Sequence, residues 1–305
     1  MTSKLPEKAA VALVQGHPST PRTLSGPGSL AGLACPSATA CEAVGKDSSG
    51  GLVATVTNGT PGRSRGVPGT ANVSGVACTS PANCEVVGVS SVKAKSQGTT
   101  AKGHGAKGHG VLVRITNGTP SGAKAVAGTT YLLAVTCSST SQCIAVGTNG
   151  PDGVVVPIIN GSPGRAEAVP GTSQLDGVSC PSAASCQAVG VSAGTHPSQG
   201  VVVPITKDKP GHTHAVSATL QLEGVACSSP TSCEAVGYGA KSQGGIEGFA
   251  VPVIDGSPGR AIPLPGTTLI SGIACPRGAN SCEAVGASGP LDSLEALAVA
   301  IGPER

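Results

Sequence analysis

Short apolar runs alternate with turns rich in Gly, Pro and Ser along the whole chain, and the same order of runs recurs six times. One repeat contains LDGVSC, CQAVG and GVVVPIT, followed by an outer piece that ends near a Pro or Gly, such as the GRAEAVPGT of the preceding repeat. In four of the units, Asn-Gly or Asp-Gly stands between the third and fourth pieces, a strong hairpin signal because both residues of a tight turn need positive φ. Four antiparallel strands in roughly 40 to 50 residues, repeated, are typical of β-propeller blades.

The two ends of the chain predict how the array of blades closes. The last unit stops at LEALAVAIGPER, after its third strand, and the chain begins with AAVALVQG and PRTLSGPG, which resemble a third and a fourth strand. An open solenoid would need polar caps at its ends, whereas a ring lets the N-terminal segment complete the last blade. We therefore expect an all-β, six-bladed propeller of four-stranded blades, one domain over residues 1–305, closed by pairing of the N- and C-terminal strands.

Each repeat carries two cysteines, separated by five residues in five units and by six in the last. Residues that face each other across a hairpin end can bring their Cα atoms into disulfide range. Two thiolates per unit cannot complete a tetrahedral zinc site, CxxC spacing is absent, and nothing marks one cysteine as catalytic. We expect one disulfide in each blade: Cys35–Cys41, Cys78–Cys84, Cys137–Cys143, Cys180–Cys186, Cys227–Cys233 and Cys275–Cys282.

The expected disulfides indicate an oxidising compartment, so the sequence predicts a secreted or periplasmic protein. The start, MTSKLPEKAAVALV, lacks a continuous apolar segment of signal-peptide length. A trimmed start, another export route or a hyperthermophile cytosol would each reconcile the two observations. No apolar run is long enough for a membrane span, and a net charge of +3 is too small to imply a nucleic-acid partner.

The stretches GVACTSPANCEVVG and GVSCPSAASCQAVG resemble the cysteine-paired repeats of secreted proteins from actinobacteria and their relatives. The familiar pattern there is Val-Ser-Cys-Pro-Ser, a second cysteine and then Ala-Val-Gly, and the likeness covers nearly the whole chain. It implies a bacterial, secreted, β-propeller-like array. This chain departs from the pattern at the third piece, where Val-Val-Pro-Ile replaces a Trp-rich strand.

The composition narrows the function classes. The chain has one Phe, two Tyr and no Trp, so it cannot supply an aromatic platform in each blade as carbohydrate-binding propellers generally do. No Ser-His-Asp order, His–carboxylate cluster or phosphate loop is present. We favour a non-enzymatic binding or structural module that contacts a protein, a cell surface or a polymer. The alternative is an extracellular lyase or hydrolase with its site at the propeller mouth, since the fold hosts many functions.

An acidic residue follows the second cysteine in four of the six units, while Ile144 and Gln187 stand there in the others. On a ring, these carboxylates would converge near one mouth and could bind a hard cation such as Ca²⁺. Because Ile144 interrupts the ring and no Asp-rich calcium loop accompanies it, we favour solvent-facing side chains and expect no resident cofactor. The acidic residues are Glu42, Glu85, Glu234 and Glu283.

One unit carries a Lys-, His- and Gly-rich insertion over residues 91–110, with the tandem sequence AKGHGAKGHG. His104 and His109 could together hold Cu²⁺, Ni²⁺ or Zn²⁺ loosely. The neighbouring lysines could contact an anionic polymer. A low-complexity spacer with neither role is the interpretation that we favour.

Overall fold

The computed structural model describes residues 7–10, 13–14, 17–18, 22–91, 108–241, 244–279 and 281–302, and every element in these ranges is a β-strand. The N-terminal residues form two small sheets, in which β1 pairs with β4 and β2 pairs with β3. Their strands are β1 (Glu7–Ala10), β2 (Leu13–Val14), β3 (His17–Pro18) and β4 (Arg22–Pro27).

Six larger sheets follow, one for each repeat, and we number them blades 1 to 6 in chain order. Blade 1 contains β5 (Ser29–Ser37), β6 (Ala40–Asp47), β7 (Gly50–Thr57), β8 (Thr60–Pro61) and β9 (Arg65–Gly66). Blade 2 contains β10 (Thr70–Ser80), β11 (Asn83–Ser90), β12 (Gly110–Thr116), β13 (Thr119–Pro120) and β14 (Lys124–Ala125). Blade 3 contains β15 (Tyr131–Cys137), β16 (Gln142–Thr148), β17 (Gly153–Ile159), β18 (Ser162–Pro163) and β19 (Glu167–Val169).

The second half of the chain repeats this pattern. Blade 4 contains β20 (Thr172–Ser182), β21 (Ser185–Ser192), β22 (Gly200–Thr206), β23 (Lys209–Pro210) and β24 (His214–Val216). Blade 5 contains β25 (Gln221–Ser229), β26 (Ser232–Ala240), β27 (Ile246–Ile254), β28 (Ser257–Pro258) and β29 (Ile262–Leu264). Blade 6 contains β30 (Leu269–Ala274), β31 (Cys282–Ser288) and β32 (Glu295–Ile301).

The fourth strand of blades 1 to 5 is split, which refines the expected four-stranded blade. Two short pieces both pair with the third strand, for example β8 and β9 with β7. A turn separates the pieces and stays attached to the third strand through a backbone hydrogen bond, such as Gly62 N to Thr55 O at 2.8 Å. Each of these blades is therefore a three-stranded meander with an interrupted outer edge, and blade 6 has three strands in the described residues.

The hairpin between the third strand and the first outer piece turns as the sequence predicts. Asn58, Asn117, Asn160 and Asp255 have φ near +50°, and each is followed by a glycine with positive φ. Asn, Asp and Gly accept this left-handed backbone at the least cost, because a short polar side chain or no side chain avoids the usual clash. Blade 4 makes the same turn with Lys207 and Asp208.

The hydrophobic core lies between blades rather than within them. The second and third strands are buried on both faces, and each apolar cluster combines side chains from two consecutive blades. One cluster joins Val87 and Leu112 of blade 2 to Leu132 and Val156 of blade 3. Small, branched side chains suit this face-to-face packing, and continuous apolar runs replace clean alternation because both faces are covered.

The first strands of consecutive blades lie against one another, from β5 with β10 through to β25 with β30. Each first strand pairs with its own blade on one edge only, so the unpaired edges line the centre of the propeller. The six-bladed, all-β propeller expected from the repeats is confirmed, and all six blades carry their own disulfide. In the described part of the chain, no helix could span a membrane.

The expected pairing of the N-terminal segment with the last strand does not occur within the described residues. There β1 pairs with β4, both pack beside blade 1, and β32 pairs with β31 alone. β1 and β4 form a separate two-stranded antiparallel sheet, and neither of them pairs with β32 in the described residues. Leu33 of blade 1 and Val285 of blade 6 are 60% and 47% exposed, whereas equivalent faces between blades are covered.

Candidate functional site

Each first strand contains a β-bulge at the same place in the repeat. The register shifts by one residue, for example between Leu175 and Gly177, and the residue between them has no partner on the second strand. A bulge re-aims the side chain of its extra residue, so these six positions form an inner ring around the centre of the propeller. The inner ring consists of Ala31, Ser74, Leu133, Asp176, Glu223 and Ser271.

Glycine follows the bulge in five of the six blades, with Ala134 at this place in blade 3, and at several of these glycines the next blade approaches very closely. A Cβ on Gly177 would lie 2.8 Å from the carbonyl oxygen of Glu223, and one on Gly75 would lie 2.9 Å from that of Leu133. Real Cβ atoms do not tolerate such contacts with backbone. The close approach holds consecutive members of the inner ring side by side, which places the two acidic members, Asp176 and Glu223, together.

Two glutamines and a tyrosine hold Asp176, one member of this acidic pair. The Gln174 amide donates to Asp176 Oδ1, and Gln221 Nε2 of the next blade donates to Asp176 Oδ2 at 3.0 Å. Tyr238 Oη donates in turn to Gln221 Oε1 at 3.0 Å. The chain of hydrogen bonds crosses from blade 4 to blade 5, so it fixes the Asp176 carboxylate relative to the neighbouring blade.

The acidic pair is electrostatically strained. Burial raises the pKa of Asp176, although the hydrogen bonds from Gln174 and Gln221 partly offset that effect. Burial also raises the pKa of Glu223, and the nearby negative charge of Asp176 raises it further. The same burial and charges raise the pKa of Tyr238. Two carboxylates in this position favour either a shared proton or a cationic group placed against them.

The four glutamates that follow the second cysteine lie elsewhere. They sit on second strands, opposite a third-strand residue, and this pair packs against the hairpin turn of the next blade where that turn is present. Glu42 and Glu85 are 4% and 7% exposed, so the expectation of solvent-facing side chains is wrong for both. The second strands of blades 1 and 2 are covered on both faces, so a polar residue at this position is buried there. The six cross-strand pairs are Glu42–Thr55, Glu85–Arg114, Ile144–Pro157, Gln187–Pro204, Glu234–Pro252 and Glu283–Ala300.

A pocket of about 580 Å³ opens beside Glu42, between blades 1 and 2. Thr55 Oγ1 donates to Glu42 Oε2 at 2.9 Å, while Glu42 Oε1 is buried and has no hydrogen-bond partner among the described residues. Arg65 Nη1 donates across the blade boundary to the carbonyl oxygen of Gly118 at 2.7 Å. Burial raises the pKa of Glu42, and the Thr55 hydrogen bond and the Arg65 charge lower it by less.

Between blades 2 and 3, Arg114 occupies the space that corresponds to the Glu42 pocket, and a separate cavity of about 240 Å³ lies beside Glu85 towards Thr79, Asn83 and Thr140. Arg114 donates to Glu85 Oε1 through Nε at 2.9 Å and through Nη2 at 2.8 Å. Its guanidinium lies directly over Gly161 in the turn of blade 3. The cross-strand partner, Thr55 in blade 1 and Arg114 in blade 2, therefore decides how much of the space stays open.

The remaining two glutamates, Glu234 and Glu283, lie at other places in the propeller, away from Glu42 and Glu85. Glu234 is partly buried in a pocket between blades 5 and 6, and Glu283 is exposed on blade 6. The four carboxylates occupy separate blade boundaries, so the structure does not bring them together as a calcium site would require. Over the ranges described, no three His, Cys, Asp or Glu side chains are close enough together to hold a metal ion.

Of the insertion over residues 91–110, the structure describes only residue 91 and residues 108–110. His109 is exposed, and its backbone pairs with Ser90 through Ser90 N to His109 O at 2.9 Å and His109 N to Ser90 Oγ at 3.0 Å. Gly110 already belongs to β12. His104 lies outside the described residues, so the two-histidine metal site stays a prediction.

Sequence reasoning missed the acidic pair, although a signal for it exists. Aligned on the first cysteine, the inner-ring position holds Asp and Glu in two consecutive repeats and only small or apolar residues in the others. Because the residue at this position is acidic in only two neighbouring repeats, the acid is not needed to form a blade and indicates a role specific to those two blades. Its position at the centre follows from the bulge, which the hydrophobic pattern does not reveal.

No family model matches this chain, and no curated protein matches it significantly. Solved structures do resemble it. A chain of Kuenenia stuttgartiensis hydrazine synthase aligns with a TM-score of 0.63 at 10% identity, over 84% of this chain and 76% of that one. A prolyl endopeptidase aligns with a TM-score of 0.53 at 16% identity, over 93% of this chain but only 42% of that one.

The WD40 β-propeller domain of Doa1 aligns over 96% of this chain and 97% of its own length, with a TM-score of 0.49 at 10% identity. At such identities, the likeness to the hydrazine synthase and prolyl endopeptidase chains concerns the fold alone.

Proposed function

We propose that this protein is an extracellular, non-enzymatic binding module that holds a cationic group of a protein or polymer partner at the centre of its propeller. The observation that carries this proposal is the acidic pair of Asp176 and Glu223, set in an inner ring whose other members are uncharged. One ligand ammonium or guanidinium placed between the two carboxylates would relieve the repulsion that raises the pKa of Glu223.

The six disulfides support the extracellular part of the proposal. Each one links the first two strands of its own blade, and such bonds persist in oxidising compartments. Stapled blades hold the inner ring rigid, which lowers the entropic cost of binding an extended partner.

The test measures binding of an oligolysine peptide, with a glutamine-substituted peptide as the neutral reference, at physiological ionic strength. We expect the double substitution Asp176→Asn with Glu223→Gln to weaken binding at least about tenfold, because a charge-assisted contact is lost. The matched control neutralises two exposed carboxylates of blade 6, Asp292 and Glu295, and should leave binding unchanged. Equal losses in both variants, or no binding by the parent protein, would contradict the proposal.

A lyase or hydrolase is the second candidate, and the same acidic pair favours it. Two adjacent carboxylates with raised pKa values are suited to general acid–base work. Its test is a panel of chromogenic glycosides and esters assayed between pH 4 and pH 8. Turnover that disappears in Asp176→Asn and survives in the Asp292 and Glu295 control would favour the enzyme over the binding module.

A further inference from the structure

The pocket between blades 1 and 2 is separate from the inner ring and has its own chemistry. Its lining includes Glu42, Thr55, Arg63 and Arg65 of blade 1 and Gly118 of blade 2. Its volume of about 580 Å³ falls within the range of small-molecule sites. Neither the disulfide frame nor the inner ring uses any of these side chains.

The buried end of the pocket presents a hydrogen-bond acceptor that has no donor. Glu42 is 4% exposed, and one of its two carboxylate oxygens has no partner in the described residues. A buried carboxylate oxygen without a partner is destabilising, because it has lost its hydration without gaining a hydrogen bond. A ligand ammonium placed against Oε1 would supply the missing hydrogen bond and add positive charge to that of Arg65.

The outer part of the pocket is positively charged and therefore suits an anionic group. Arg63 and Arg65 are both exposed and line the same space. Arg65 uses only Nη1 in its contacts with Gly118 O and Thr119 Oγ1. Its Nε and Nη2 donate to no other described residue, and a planar guanidinium presents such donors in a fork that matches a carboxylate.

We propose that this pocket binds a free amino acid, with the ammonium group against Glu42 and the carboxylate against Arg63 and Arg65. The zwitterion matches the polarity of the pocket at both ends, one negative side chain at the floor and two positive ones at the mouth. In blade 2 the corresponding space is occupied by the Arg114 side chain, which forms an ion pair with Glu85. A side chain of the protein itself therefore takes the place that a ligand would take in blade 1.

The experiment is isothermal titration of the full chain with L-lysine and L-alanine as amino-acid probes. n-Butylamine and n-butyrate serve as controls that carry only one of the two charged groups. We expect binding of at least one amino acid and about tenfold weaker binding of both single-ended controls, because each omits one charge-assisted contact. Single-ended controls that bind as tightly, or no binding of either amino acid, would overturn the proposal.

Two variants test the assignment to this pocket. Glu42→Gln keeps the size of the side chain and removes its charge, and Thr55→Arg introduces the arginine that fills the equivalent pocket of blade 2. Both should weaken amino-acid binding at least about tenfold while the melting temperature shows a folded protein. Glu85→Gln, the same change at the filled pocket, is the matched control and should bind like the parent. Unchanged affinity in either Glu42→Gln or Thr55→Arg would overturn the proposal.

The outcome is independent of the proposed function. Glu42→Gln should not affect oligolysine binding, and substitution of Asp176 with Glu223 should not affect amino-acid binding, so each failure is distinguishable from the other.

Discussion

The boundary between blades 1 and 2 and the boundary between blades 2 and 3 each bury a glutamate, but the surroundings of its carboxylate differ. Both bury a glutamate after the second cysteine, opposite a third-strand residue and beneath the turn of the next blade. Blade 2 places Arg114 opposite Glu85 and forms an ion pair in a small space, while blade 1 places Thr55 opposite Glu42 and leaves a buried oxygen beside an open pocket. One cross-strand residue separates a structural contact from a candidate binding site, although the backbone of the two blades is alike.

The largest expected difference between the two boundaries comes from removing the cross-strand partner. Arg114→Ala leaves Glu85 buried without its counter-charge, and we expect a loss of about 1–2 kcal/mol in the free energy of unfolding, since Arg114 is itself half exposed. Thr55→Ala removes one hydrogen bond to Glu42, and we expect a loss of about 0.5–1 kcal/mol. Urea denaturation at pH 7 measures both, and equal losses would contradict the distinction between the boundaries.

Replacing Glu42 or Glu85 with glutamine should change the melting temperature at pH 7 in opposite directions. Burial raises the folded-state pKa of Glu42 above its ordinary 4.5, so the stability that its protonated form contributes is present below pH 4.5 and lost as the pH rises through the raised value. Glu42→Gln should therefore raise the melting temperature at pH 7 and change it little at pH 4. Glu85→Gln removes the ion pair with Arg114 and should lower the melting temperature at pH 7 by about 2 °C.

Melting curves of the parent and both variants at pH 4 and pH 7 test this pair. If Glu42→Gln lowered the melting temperature at pH 7 as Glu85→Gln does, Glu42 would be part of a stabilising pair and the description of the open pocket would be wrong.

The smallest effect is expected from shortening the insertion in blade 2. It joins β11 to β12, the strands that carry Glu85 and Arg114, and the ladder already pairs Ser90 with His109 at its base. Removing residues 93–107 leaves this pairing intact, and loop closure depends only logarithmically on length. We expect a change in melting temperature below about 2 °C, measured beside the parent. A larger loss would show that the insertion contributes to the packing of blade 2.

The repeat predicted most of the fold because its signals are local. Asn-Gly turns, paired cysteines six or seven apart and apolar runs of strand length each fix a hairpin without reference to the rest of the chain. Blade 4 forms the same turn at Lys207 and Asp208, where the sequence signal is weak. There the register of the flanking strands imposes the turn on residues with no special preference for it.

The candidate sites were harder to predict because they depend on register and on the neighbouring blade. The bulge beside Asp176 changes which way its side chain points, and a pattern of alternation cannot show that. Glu42 seemed to belong to the surface beside a disulfide hairpin, yet the turn of blade 2 covers it. Whether the space next to Glu42 is open depends on Thr55, thirteen residues away and informative only once the two strands are paired.

The claim on which the whole account rests is that each blade is stapled by its own disulfide, since this fixes the repeat frame and supports an oxidising location. Intact-mass and peptide-mapping measurements on protein that has been isolated without reductant, with free thiols alkylated, test it most directly. We expect a native mass twelve hydrogens below that of the reduced chain and six linked peptides, each joining cysteines of one repeat. Free thiols, or links between cysteines of different repeats, would contradict it.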